Sequence, residues 1–406
     1  MQKVRDLRTS FIDFFKTNGH RIVPSSSIVP KDDPTLLFTT AGMVQFKPMF
    51  AGTVDLEYTR AASIQKCLRT SDLEQVGRTK RHLTLFEMLG NFSFGDYFKQ
   101  DALDFAWDYS TNVIGFPKEL LWASIYENDD EAYELWNRRI GMPAERIVRL
   151  GKADNFWGPA GDTGACGPCS ELYYDRGEKF GCGKPDCKPG CDCDRYLEFW
   201  NMVFNQFNQD ENGQLQPLPR TGIDTGMGLE RLATLVQGVD SVFETDELKS
   251  LIEFVSRESG IKYEGKNMLP IKVIVEHGRT LTFAMSDGIY PSNDGRGYVL
   301  RRILRRALRF SRLLGLKEPF VHKMVDPIVT IMGEFYPEVT QSVANVKNVI
   351  ESEEKRFLET IENGMDRIEE IIKSVKSAKG TIVSGADAFV LYDTFGFPLE
   401  MTTEMA

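Results

Sequence analysis

Ile223-Asp224-Thr225-Gly226-Met227-Gly228-Leu229-Glu230-Arg231 is the stretch on which the reading of this chain turns. Glycines at 226 and 228 permit a tight turn and close backbone approach, and the residues after them read as the start of a helix. A helix N-terminus favours phosphate, because its first N–H groups have no partners within the helix. Arg231, inside that helix, is placed to meet a polyphosphate from the side with a planar guanidinium. Alone the pattern is weak, since a glycine turn beside a surface arginine reads the same way. Asp224 would then be an ordinary helix N-cap.

A second segment adds weight. Gln65-Lys66-Cys67-Leu68-Arg69 leads into a polar loop, Thr70 to Arg81. The chain returns as His82-Leu83-Thr84-Leu85-Phe86-Glu87-Met88-Leu89-Gly90-Asn91-Phe92-Ser93-Phe94-Gly95. Two apolar runs around a charged loop read as a long hairpin. Arg69, with Arg78, Lys80, Arg81 and His82 in the loop, suggests a phosphate clamp beside an aromatic platform; a solvated charged hairpin would carry the same residues.

Around these segments the texture is mixed. Val4, Leu7, Phe11 and Phe14/Phe15 recur at helical spacing, with Gly19 placed to stop the helix. From Pro24 to Phe243, short apolar runs (Thr35 to Phe38, Leu121 to Tyr126, Tyr196 to Phe207) alternate irregularly with helical segments such as Asp101 to Val113 and Asp130 to Ile140. Strands and helices without a regular beat predict an α+β domain on an antiparallel sheet. Beyond Thr245 the pattern is mainly helical. Val299 to Leu314 has an apolar face ringed by arginines, and Val343 to Val375 predicts one helix of about nine turns. The expected division is therefore 1–245, an α+β sheet domain, and 246–406, a mainly helical domain. Leu399 to Ala406 carry no closing signal, so the chain is read as the front part of a longer protein.

The 406 residues are 42% apolar and 27% charged, an ordinary globular composition. With 49 Lys plus Arg against 59 Asp plus Glu, the net charge of −10 excludes a general nucleic-acid coat but not a local basic surface. No apolar run is long enough to span a membrane, and no secretory core follows Met1. An odd cysteine count of 7 fits a reducing cytoplasm, where clustered cysteines more often mean metal than disulfide.

The two segments resemble motifs 2 and 3 of class II aminoacyl-tRNA synthetases, and their wording is similar to that of the alanyl-tRNA synthetase family. Asp33-Pro34-Thr35-Leu36-Leu37-Phe38 with Ala41-Gly42-Met43 resembles that family's motif 1 region. Phe86 to Phe98, Asp154 to Trp157, Cys166 to Glu171, Trp200-Asn201, Pro291 to Asn293 and Leu391 to Pro398 match in order, so the resemblance runs essentially the length of the chain. It implies alanine activation by ATP to alanyl-adenylate, then transfer to tRNA(Ala). Two anions must meet, so cationic clamping and positioning dominate the chemistry rather than a protein base. The catalytic residues implied are Arg69, on the α-phosphate, Arg231, on the bent triphosphate, and Asp224, on the alanine ammonium. ATP contacts are expected from Arg69, His82, Phe86, Glu87, Met88 and Arg231, with Phe86 stacking on adenine and Mg²⁺ bridging phosphates. Trp157, Asn201, Val203, Asp224 and Gly226 are expected to line the alanine pocket. By composition alone Trp157 and Val203 would be core residues. The family clears mischarged serine with a separate editing domain, and nothing in these 406 residues resembles it.

Between Arg279 and Arg312, eight arginines (279, 296, 301, 302, 305, 306, 309, 312) stand against Asp287 and Asp294. Arg301, Arg305, Arg309 and Arg312 fall on one helical face, for which a phosphate backbone is the expected partner. The resemblance adds that Asn293 and Asp393 read a G·U pair in the acceptor stem, through the shallow minor groove. The tRNA contacts expected are thus Asn293, Arg301, Arg305, Arg309 and Asp393, in a monomeric chain.

Cys182, Cys187, Cys191 and Cys193 form a Gly- and Pro-rich knuckle in which four thiolates would satisfy one structural, tetrahedral Zn²⁺. Their C-x4-C-x3-C-x-C spacing is not the usual paired C-x2-C, and a loop of reduced thiols is the alternative. Cys166 and Cys169 are assigned no metal, and Cys67 reads as a buried strand residue. The chain departs from the family where His82-Leu83-Thr84-Leu85-Phe86 stands for a frequent His-His-Thr-Phe-Phe. A Gly-Lys-His-Asn stretch after Arg69 is absent, and Gly158-Pro159-Ala160 lengthens the link after Trp157. Two rivals remain: an acceptor-stem RNA-binding module without catalysis, and an alanine-adenylating enzyme with a non-tRNA acceptor. Intact Arg69, Asp224 and Arg231 oppose the first, and the arginine face opposes the second.

Overall fold

Side chains alternate between the two faces of the sheet along each strand, and that alternation organises the molecule. The structure, a computed structural model, describes residues 2–31, 33, 35–378, 380–394, 397 and 399–406. Its strands are β1 (Arg21–Ile22), β2 (Arg60–Leu68), β3 (Leu85–Phe94), β4 (Leu121–Tyr126), β5 (Ile147–Leu150), β6 (Phe156–Trp157), β7 (Gly164–Asp175), β8 (Tyr196–Gln209) and β9 (Leu215–Gly228). They run in the order β1-β2-β3-β9-β8-β7-β4-β5, with β6 on β7. Only β1·β2 and β4·β5 are parallel; the remaining pairings are antiparallel, giving the expected α+β architecture.

The predicted hairpin is β2–β3, in register from Leu68↔Leu85 to Arg60↔Ser93. One sheet face is apolar and packs under the first helix, Val4–Thr17, whose Val4, Leu7, Phe11 and Phe15 are buried at the predicted spacing. Phe11 and Phe15 meet Trp200 of β8 at centroid distances of 6.1 and 6.4 Å. Each such aromatic buried contributes roughly 1.5–3 kcal/mol. Leu89, Met202, Ile223 and Met227 share this core. Arg8, 1% exposed, reaches through it to Glu87 of β3 (2.8 and 2.5 Å) and to Glu247 (2.5 and 2.7 Å).

Three expectations change. Thr35 to Phe38 form no strand; the chain there makes turns before a short 3₁₀ helix, Gly42–Phe46, and Pro34 lies outside the described residues. Gly226 and Gly228 make no turn: they are the end of β9, which runs straight into helix Leu229–Val236, and neither has a positive φ. At Gly226 the missing side chain instead makes room for Met88, since a Cβ there would lie 2.8 Å from Met88 Sδ. Asp224 is accordingly a strand residue and not the N-cap, a position Gly228 holds.

The chain forms two compact units, Met1–Phe254 with Asp294–Arg296, and Val255–Asn293 with Gly297–Ala406. Sequence texture puts the border at 245–246; the structure puts it inside helix Asp246–Ser259, between Phe254 and Val255, and Glu247 stays with the first unit, tied to Arg8. In the second unit, helix Met268–Ser286 is buried almost all round. Helix Gly295–Leu313 buries Leu300, Ile303, Leu304, Ala307 and Leu308, as its sequence predicts. The long helix spans Val343–Ser377 and buries Val346, Ile350, Phe357, Ile361 and Ile368. Among the described residues, no helix is long and apolar enough to cross a membrane.

Candidate active site

On the sheet face opposite the apolar core lies a cleft of about 180 Å³. Strand parity fills it. Phe86 and Met88 of β3, Asn201 and Val203 of β8, and Asp224, Gly226 and Gly228 of β9 all face in. The register sets Asn201 opposite Gly226 and Val203 opposite Asp224. Arg69, His82, Trp157 and Arg231 complete the expected set. Glu87 is the correction. Alternation turns its side chain to the core face, where Arg8 binds both carboxylate oxygens, so it is not placed to touch a ligand in the cleft.

Asp224 is 6% exposed and, among the described residues, its carboxylate makes no hydrogen bond or ion pair. Burial alone pushes its carboxyl from 3.8 up to about 7. Beside it, Asn201 donates to Glu171 Oε1 (2.7 Å) and Cys169 Sγ (3.5 Å), while its Oδ1 is buried without a partner. Val203 is buried, whereas Trp157 is 37% exposed and is therefore a wall of the cleft, not a core residue. Arg69 lies between aromatic rings, 5.0 Å from the centroid of Phe86 and 5.8 Å from that of Trp157, with Nε donating to Thr40 O at 3.0 Å. No carboxylate pairs with it among the described residues. The floor thus holds a carboxyl without a partner and the rim a cation without a counter-charge.

Arg231 sits in the first turn of helix Leu229–Val236 and binds Glu198 Oε2 at 2.8 Å and Glu198 O at 3.2 Å. Both side chains are partly exposed, and such pairs contribute only about 0–1 kcal/mol, so an incoming phosphate can displace the carboxylate. His82 Nδ1 is 2.8 Å from Thr79 Oγ1. Burial holds the His82 pKa below its ordinary value; Asp72 opposes the shift, and Arg231 and Arg81 reinforce it.

Glu171 and Glu198 went unassigned from sequence. Glu171 is buried and hydrogen-bonded by Tyr173, Ser124 and Asn201, and burial with Glu198 nearby pushes its carboxyl up. The available signal was a glutamate inside an apolar strand, as in Tyr196-Leu197-Glu198-Phe199-Trp200, where charge is expensive unless used.

The four knuckle cysteines converge, their Sγ atoms all within 4.8 Å of one another. Cys182–Cys191 and Cys187–Cys193 are 3.6 and 3.5 Å apart. Tetrahedral zinc with 2.3 Å bonds to sulfur requires roughly 3.8 Å between sulfurs, so the donor set fits such an ion. Cys67, Cys166 and Cys169 are buried elsewhere.

In the second unit, Arg305 is exposed and Arg301 and Arg309 are half-buried on helix Gly295–Leu313. Arg301 bonds Asn293 Oδ1 and lies 3.7 Å from Glu353. Arg279 is buried in helix Met268–Ser286 and does not belong to the basic face. Asp393 is exposed at the end of helix Gly385–Asp393; Phe395, Gly396 and Pro398 of its string lie outside the described residues.

The family model for class II (A) tRNA synthetases matches residues 6–406. The chain is 56% identical over 406 residues to an alanine–tRNA ligase of Leptospira biflexa, covering 99% of this chain and 44% of that protein. It is 52% identical over 404 residues to one from Desulforamulus reducens, covering 99% and 46%. The chain therefore spans less than half the length of these relatives. Among solved structures, the histidyl-tRNA synthetase of S. aureus overlays 60% of this chain and 68% of its own at 11% identity, with a TM-score of 0.35.

Proposed function

Because the chain belongs to the class II (A) tRNA synthetases, we propose that it activates alanine with Mg²⁺-ATP and transfers it to tRNA(Ala), in the cytoplasm and as a monomer. The observation that carries this reading is Asp224. A carboxylate buried without a partner, at the floor of a cleft rimmed by Arg69, calls for a ligand that brings a cation and an anion together. An amino acid is such a ligand. Its ammonium neutralises Asp224, and its carboxylate points towards Arg69. The space beside Gly226, Val203 and Asn201 admits only a small side chain, since Met88 packs against Gly226.

Arg69 then brings the amino-acid carboxylate and the α-phosphate together, offsetting the repulsion of two anions. A carboxylate oxygen attacks the α-phosphorus in line, the bond to the bridging oxygen breaks, and pyrophosphate leaves. Arg231 exchanges Glu198 for the triphosphate, while Phe86, Met88 and His82 hold the adenosine end. Mg²⁺ accompanies the triphosphate and shields its charge. In the second step a terminal ribose hydroxyl of the tRNA attacks the acyl carbon and AMP departs.

Arg301, Arg305 and Arg309 supply affinity for the acceptor-stem backbone, and Asn293 and Asp393 supply selectivity for its G·U pair. Arg301 orients the Asn293 amide by taking its oxygen, leaving the NH₂ group to donate. One structural zinc in the knuckle completes the cofactor set. Titration with a non-hydrolysable alanyl-adenylate sulfamate tests the pocket: tight binding is expected, at least a hundredfold weaker in Asp224→Ala. Equal affinity for both proteins would overturn the assignment.

A further inference from the structure

Arg81 touches the cleft and the cysteine knuckle at once. The residue lines the cleft together with His82 and Arg231. Its guanidinium donates to Asp194 Oδ1 at 2.8 Å, to Asp192 O at 3.3 and 3.4 Å, and to Cys193 O at 3.5 Å. Its neighbour Lys80 is held from the other side, its carbonyl accepting from Val242 N (3.0 Å) and Ser241 Oγ (3.2 Å). The Lys80 ammonium also lies 5.0 Å from the ring of Phe180, at the base of the knuckle.

Within the knuckle, residues 181–194 are largely exposed, and Pro189 alone among them is buried. A loop with so little apolar burial does not set its own shape; loops of this kind open locally at small free-energy cost. The four converging thiols are what is left to order it, and a bound metal makes binding energy serve as folding energy. Residues 192–194, the partners of Arg81, contain one of these thiols and adjoin another.

We propose that the Cys182–Cys187–Cys191–Cys193 knuckle binds one zinc ion and, through Asp192–Asp194, positions Arg81 at the nucleotide end of the cleft, so that metal occupancy sets the affinity for ATP. Arg81 is the group that meets the nucleotide, and the knuckle is what positions it. The inference rests on the cleft being an ATP site. On loading, four thiols release their protons and the tetrathiolate centre carries two negative charges, which hold the guanidinium on this side of the cleft. Without the ion the loop loses its shape and Arg81 loses the partners that aim it.

The test uses the chain as purified under reducing conditions. Elemental analysis is expected to find one zinc per chain, and Co²⁺ replacement to give the intense charge-transfer and d–d bands of a tetrahedral thiolate site. ATP affinity is then read by calorimetric titration without amino acid, on loaded and zinc-stripped protein and on Arg81→Met. Stripping and Arg81→Met are each expected to weaken ATP about tenfold, the scale of one charge-assisted contact. Stripping Arg81→Met protein is expected to add less than twofold, because both changes remove the same contact. Restored zinc should restore affinity in the wild-type chain. Zinc absent with no cobalt bands, a pair of disulfides in its place, or equal weakening of wild type and Arg81→Met on stripping would overturn the proposal. ATP binding absent in every form would overturn the nucleotide-site reading with it, whereas ATP binding that ignores zinc would overturn this inference alone.

Discussion

Replacing Asp224 by Asn should make the ligand-free protein relatively more stable as pH rises, while removing its affinity for alanine. Burial lifts the carboxyl from 3.8 to about 7, so the folded chain keeps a proton that the unfolded chain has released across that window. Stability from this group is therefore greatest below its unfolded pKa and declines as pH climbs towards the folded one. The full shift corresponds to about 4 kcal/mol, of which about 2.5 kcal/mol falls between pH 5 and pH 8. Asparagine has no such dependence, so the mutant-minus-wild-type difference should grow by about 2.5 kcal/mol over that interval, whatever constant offset the amide adds. Urea denaturation at the two pH values measures it. A difference that stays constant, or shrinks, would refute the claim that Asp224 is an ionisable group held without a partner. The same titration governs the ligand. Only the carboxylate accepts an ammonium, so kcat/KM for alanine should fall roughly tenfold from pH 8 to pH 6.

Gly226→Ala places a Cβ 2.8 Å from Met88 Sδ, on the wall of the alanine pocket. Overpacking of this kind costs about 1–3 kcal/mol, and pyrophosphate-exchange kinetics should show a KM for alanine raised at least fivefold in a folded protein. Arg8→Ala leaves Glu87 and Glu247 facing each other without their buried cation. A loss of about 3–5 kcal/mol in denaturant unfolding is expected, and a loss under 1 kcal/mol would argue against a structural triad. Asn293→Ala should weaken charging of G·U-bearing acceptor stems selectively, with A·U and G·C variants unaffected; an equal loss on all three would contradict its role. Tested by itself, the chain should form seryl-tRNA slowly and not clear it, because one added hydroxyl is discriminated in a small pocket by only roughly 1–3 kcal/mol. Deacylation above the spontaneous rate would count against this.

Strand periodicity explains both what was readable and what was not. The β2–β3 hairpin, the first helix and the helix Val343–Ser377 follow directly from apolar spacing, and all three are present. The residues of the cleft were legible as well, but the geometry that assembles them was not. Gly226-Met227-Gly228 reads locally as a turn, and only its pairing with β8 and β3 makes it a strand in which Gly226 admits Met88. Glu87 shares a motif with Phe86 and Met88, yet one residue of offset turns it to Arg8, a partner 79 positions away. Glu198 and Glu171 escaped notice because their partners, Arg231 and Asn201, are distant in sequence. Arg279 counted towards a basic surface until the surrounding helix proved to be buried on nearly every side. Composition identifies charges; tertiary packing decides which of them face a ligand.

The most direct test of the account is ATP–pyrophosphate exchange measured with each of the twenty amino acids in turn. Exchange strongest with alanine, weaker with serine and glycine, and abolished by Asp224→Asn is the predicted result. No exchange with any amino acid, or exchange favouring a large side chain, would contradict it; the first outcome would leave an RNA-binding module as the reading of these residues.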